Sequence, residues 1–148
     1  MIFLDFFRKE KSKEEIERLK MEKTIVNGYK NISRVLINYG YKTDFSIDSL
    51  SEIDRFIQEN SIKGYAKADG LLAEQTAEKL YTLGAYVGEV IRRKHGGKWI
   101  IELFEETKMD INIRLNNGHV FCPHNLVMKK LWNSEAYSIY DAASELNK

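Results

Sequence analysis

The spacing of the apolar residues changes at Gly96-Gly97, and that change narrows the folds open to this chain. Before it, Leu80, Leu83, Val87 and Ile91 recur at helical spacing. After it, Asp110-Ile111-Asn112-Ile113-Arg114-Leu115 alternates polar and apolar, the pattern of a half-buried strand. The upstream pattern predicts a long helix over residues 69–95, with Tyr81, Tyr86 and Val90 spreading apolar character around it, so it should be the central helix. Ala73, Ala77, Gly84 and Gly88 line one side of it as a strip of small residues suited to close packing. Arg92-Arg93-Lys94-His95 complements the negative end of its dipole, and Gly96 supplies the left-handed stop.

Downstream, residues 99–104 and 110–115 read as two strands. Asn117-Gly118 marks a tight hairpin that returns residues 119–122 antiparallel until Pro123 ends them. A two-residue turn sets Leu115 opposite Val120 and Ile113 opposite Cys122. Helices are expected over 125–132 and 134–146.

Upstream, Ser12 and Glu15 form a capping box that opens a helix. It is charged as far as Lys23 and then carries the stripe Ile25, Tyr29, Ile32 and Leu36. Asn27-Gly28 is a potential break, and Gly40 a stop. Ser49 and Glu52 form a second box before Leu50, Ile53, Phe56 and Ile57. The expected fold is therefore α+β: N-terminal helices and a long central helix on a three-stranded antiparallel meander, with two short C-terminal helices. A chain of 148 residues corresponds to one domain, 1–148, with residues 1–11 as a loosely attached segment.

Composition excludes several functions. Lys and Arg number 23 against 22 Asp and Glu, a balance that argues against a nucleic-acid binder or an anionic-membrane binder. One Cys excludes an internal disulfide and suggests a reducing, cytoplasmic setting. Residues 1–7 are apolar except for Asp5, and the basic run 8–11 follows rather than precedes them. That order is the reverse of a secretory signal, and the run is too short for a membrane span. These leading aromatics are expected to dock on the domain or fray; the alternatives are weak contact with a membrane surface or binding of a partner, self-association included.

Few residues offer chemistry. His119, Cys122 and His124 are the only dense set of metal-type ligands, but three residues apart on a strand His119 and Cys122 point to opposite faces, so neither a metal nor a thiol site is expected. No phosphate loop, dinucleotide fingerprint or nucleophile elbow is present, and no cofactor is expected. Glu89 is the acid of most interest. It sits three and four residues before Arg92 and Arg93, and if buried it needs those two, the Trp99 indole or backbone amides as partners. Asp44, Asp48, Glu52, Asp54 and Glu59, opposed only by Arg55, form a local acidic surface.

Leu83-Gly84-Ala85-Tyr86-Val87-Gly88-Glu89-Val90, followed by Gly96-Gly97-Lys98-Trp99, resembles the LGxYxGE…GGxW signature of small uncharacterised bacterial proteins. Ser49-Leu50 with Ile53-Asp54 is similar to the helix that precedes it in such proteins, and the likeness covers residues 44–131. It implies no enzymatic activity. Some proteins of this style resemble immunity proteins of bacterial toxin systems, and Tyr86, Glu89 and Trp99 are the marked positions. The function expected is a non-catalytic protein-binding module with Tyr86, Glu89, Arg92, Arg93 and Trp99 as binding residues and a protein partner, a toxin in the immunity-type reading. In it, the acidic strip 44–59 or the basic strip 92–98 meets complementary charge. The alternative is a small-molecule binder or enzyme with its pocket around Tyr86, Glu89 and Trp99.

Overall fold

The computed structural model describes residues 12–104 and 108–146. Residues 1–7, expected to dock on the domain, lie outside the described residues. The first helix, α1 (Lys13–Asn38), is capped by Ser12, whose hydroxyl accepts the Glu15 amide at 3.1 Å. It runs through Asn27-Gly28 without a break. There it crosses α3 (Thr76–His95), with the Cβ position of Gly28 only 3.4 Å from the Thr82 methyl. The stripe Ile25, Tyr29, Ile32 and Leu36 is buried on that side.

A 3₁₀ turn (Ile47–Ser49) leads into α2 (Leu50–Glu59), which buries Leu50, Ile53, Phe56 and Ile57. Ser49 does not cap α2 as the sequence box predicts. It already has helical dihedrals, and its hydroxyl turns to the Ser46 carbonyl and the Tyr86 hydroxyl, while Ser46 caps the turn. Next comes a hairpin absent from the sequence expectation, β1 (Ser61–Ile62) with β2 (Tyr65–Ala66), closed by Lys63 and Gly64, both at positive φ. The described residues therefore hold two antiparallel sheets rather than a single meander, and the α+β class stands.

The central helix is shorter than its periodicity suggests: α3 starts at Thr76, not at 69. Gln75 takes a left-handed conformation, and the preceding turns hang on Asn60, whose Oδ1 accepts the Leu71 amide at 2.8 Å and whose carbonyl accepts the Lys67 amide at 3.0 Å. A tertiary anchor thus overrides local helical propensity. From Leu83 to Ile91 every residue of α3 is buried, so the helix is central as expected.

The larger sheet runs β3 (Gly97–Phe104), β4 (Lys108–Leu115), β5 (Val120–Phe121), with each neighbouring pair antiparallel. Its second turn corrects the predicted register. The loop has three residues, Asn116, Asn117 and Gly118, with Leu115 donating to the His119 carbonyl at 2.8 Å and Gly118 at φ 89°. Arg114 therefore pairs with Val120, and Ile113 pairs with Phe121 rather than Cys122. A one-residue change of register exchanges the two faces of a strand, so Phe121 takes the place expected for Cys122.

Cys122 is instead the N-cap residue of α4 (Pro123–Trp132), and Pro123 opens that helix at a position where its missing N–H is tolerated. The last helix, α5 (Ile139–Glu145), starts later than the expected 134 because a buried ammonium organises the turn before it. Lys130 Nζ donates to the carbonyls of Ser134 and of Tyr137, the latter at 2.8 Å. Among the described residues no helix is long and apolar enough to cross a membrane.

Candidate functional site

Glu89, Arg92 and Arg93 share one side of the last turns of α3, and the chain reversal at Gly96-Gly97 brings Trp99 back against them. Gly97 permits that reversal because a Cβ there would lie 2.5 Å from the Arg114 carbonyl oxygen. Gly88 permits the rest: its Cβ would lie 2.5 Å from the Trp99 ring and 2.8 Å from Pro123. Of the strip of small residues, Gly84 and Gly88 form a packing seam, Gly84 receiving the His124 ring and Gly88 the Trp99 ring, whereas Ala73 lies before α3 and Ala77 is exposed.

Glu89 is 3% exposed and fully engaged. Its Oε1 accepts Arg92 Nε at 2.7 Å and the Trp99 indole at 3.1 Å, and its Oε2 accepts Arg92 Nη2 at 2.9 Å and Arg93 Nε at 2.8 Å. A carboxylate offers about four lone-pair positions, and all are taken. Burial pushes the Glu89 carboxyl up, but the hydrogen bonds from Arg92, Arg93 and Trp99 overcome it and hold the group below the usual carboxylate range. It stays ionised and has no vacant position for proton transfer or ligand.

Tyr86 lies one turn earlier and is fully buried. Its hydroxyl accepts the Phe45 amide at 3.0 Å and shares a 2.7 Å hydrogen bond with the Ser49 hydroxyl. Phe45 has φ 62°, and its ring lies 4.7 Å from that of Tyr86 with the Arg93 guanidinium 4.1 Å above it. Arg93 therefore joins the Glu89 cluster to the Tyr86 cluster. The structure brings together all five residues singled out in the sequence, as one network tying residues 45–49, α3 and β3 to one another. Beside it a cleft of about 450 Å³ opens between α1 and β3, lined by Glu22, Ile25, Lys98 and Trp99 among others.

Part of each charged strip is engaged within the chain, while Asp48, Lys94 and Lys98 stay exposed. Arg55 is clamped by Glu52 and Glu59, both at 2.8 Å, and Glu52 also accepts the Lys42 amide. Asp54 accepts the Ile139 amide at 2.8 Å and the Tyr140 amide at 3.1 Å, anchoring the start of α5. Asp44 turns to Ser46. At the basic end, Arg92 and Arg93 are committed to Glu89.

His119 is exposed, whereas the His124 ring is wedged over Gly84, its Nε2 donating to the Tyr81 carbonyl at 3.0 Å and its face stacked on the Tyr81 ring. Burial pushes the His124 imidazole below its ordinary value. Among the described residues no group of three His, Cys, Asp or Glu is placed to hold a metal ion.

One surface escaped the sequence reading. Ile62, Tyr65 and Trp132 are 55%, 76% and 62% exposed. Gly64 at the hairpin tip brings them together, its Cβ position 3.8 Å from the Trp132 backbone. The signal available was Lys63-Gly64, a two-residue turn flanked by strands of only two residues each. Comparison with family models, curated proteins and solved structures finds no match for this chain.

Proposed function

We propose that the chain is a non-catalytic module that binds a protein partner, and that the contact surface is the corner of Ile62, Tyr65 and Trp132. The observation that carries this reading is the gathering of two exposed aromatics and an isoleucine on one turn-pinned corner. Tyr and Trp anchors of this kind dominate binding energy at protein interfaces. The engagement of Asp44, Glu52, Asp54 and Glu59, and of Arg92 and Arg93, within the fold shifts the expected source of affinity from charge to these side chains. The favoured partner is a toxin of the kind that immunity-type proteins occlude, and the setting is the cytoplasm. Support comes from the likeness of residues 83–99 to the LGxYxGE…GGxW signature, the balanced charge and the single cysteine. A small-molecule or enzymatic role at Tyr86, Glu89 and Trp99 has the adjoining cleft in its favour, but it finds no free lone pair on Glu89.

The test uses the wild-type chain and Trp132→Ser as baits in a lysate of the native host, with co-expression of any toxin encoded beside the gene. Retention of one specific protein by the wild type, lost by about 30-fold in Trp132→Ser at unchanged melting temperature, is the expected result. Equal retention by both baits contradicts it.

A further inference from the structure

The larger sheet narrows from three strands to two before β4 ends. β5 pairs only with Ile113 and Arg114, and the chain then leaves the sheet at Pro123. In an antiparallel ladder each residue directs its N–H and C=O to the same neighbour, and successive residues alternate sides. Asn116 donates to Gly96 on the β3 side and Leu115 to His119 on the β5 side. Ile113, Ile111 and Met109 therefore also face the β5 side. Continuing the Ile113–Phe121 register sets Pro123, which has no N–H, opposite Ile111. The N–H and C=O of Ile111 and Met109 accordingly border open space, and no hydrogen bond to them from another described element is present.

That space is a cleft of about 710 Å³ bounded by α3, β4 and the start of α4, with Leu80, Met109, Ile111 and Met128 as its apolar walls. The opposite face of the same edge carries Lys108 and Asp110, and Asp110 pairs across the ladder with Glu102. Directly opposed like charges are unfavourable, and neither carboxylate has an ion-pair partner among the described residues.

We infer that this open edge of β4 receives an extended segment of a partner protein, which adds as a strand where β5 leaves off. Its backbone completes the pairing of Met109 and Ile111. Its inward side chains are apolar and fill the cleft; an outward Lys or Arg meets Asp110 and Glu102. This is strand addition at a sheet edge: main-chain bonds give affinity and alternate side chains give selectivity. The surface is separate from the Ile62, Tyr65 and Trp132 corner, so the two assignments fail independently.

The test is amide hydrogen exchange on the full chain with a synthetic peptide alternating valine with lysine and blocked at both ends. Exchange at Met109 and Ile111 should slow by at least about tenfold on adding the peptide. A version N-methylated on alternate amides should leave both amides unchanged, and a version with glutamate for lysine should bind about tenfold more weakly. Asp110→Lys, at an exposed position, should reverse the preference between the two charged peptides. Unchanged exchange at both amides overturns the inference, as does an equal effect of the N-methylated peptide. Slow exchange at both amides before any peptide is added also overturns it, because the edge would then be held by this chain's own residues or by a second copy.

Discussion

The two ends of α3 differ in how much of their polar capacity is used. At the His95 end, one carboxylate, two guanidiniums and an indole satisfy each other around Glu89. At the Thr76 end, Leu80 and Tyr81 overlook a cleft beside a strand edge whose N–H and C=O groups find no partner among the described residues. The end richest in chemically suggestive residues is the one whose carboxylate has no lone pair left to offer. A cluster of Glu, Arg and Trp in a sequence therefore marks where a helix is locked to a strand as readily as where a ligand binds, and the free capacity of each group tells the two apart.

Breaking the locked end should produce the largest effect. Glu89→Gln leaves two half-buried guanidiniums around a neutral amide and should cost about 3 kcal/mol, lowering Tm by roughly 6–12 °C in thermal unfolding followed by circular dichroism. Gly84→Ala comes next, because a Cβ there would overlap the His124 ring; overpacking of this kind costs about 2 kcal/mol, measured as a shift in urea midpoint at unchanged slope.

A pH effect of intermediate size should come from His124. Its folded-state pKa is depressed by burial, so the unfolded chain binds the proton more readily. The stability it contributes is complete above the unfolded value of about 6.5 and is lost as pH falls from there through the folded value, at no more than about 1.4 kcal/mol per pH unit. Urea titrations between pH 7.5 and 5 should show this loss in the wild type and a smaller one in His124→Phe. Least affected is the exposed corner: Trp132→Ser should change stability by less than about 0.5 kcal/mol.

Much of this architecture was legible in the sequence because burial imposes periodicity. The Ile25, Tyr29, Ile32 and Leu36 stripe and the buried run around Leu83, Val87 and Ile91 are direct consequences. So was the company of Glu89, since positions three and four residues on share a helix face and Trp99 follows a glycine reversal. What was not legible depends on contacts distant in sequence. The start of α3 is decided by Asn60, and the failure of the Ser49 box by Tyr86. The hairpin register rests on whether Asn117-Gly118 closes a loop of two residues or three, which local sequence leaves open. The exposed corner was missed because strands of two residues carry no period, and Trp132 meets them at Gly64 from far along the chain.

The most direct test of the division between a locked end and a binding surface is partner affinity, measured below the melting temperature of every variant, for Glu89→Gln and Trp132→Ser side by side. Binding within about twofold of wild type for Glu89→Gln, with a loss of about 30-fold for Trp132→Ser, is the result predicted. The reverse pattern, with affinity lost at Glu89 and kept at Trp132, would contradict the account.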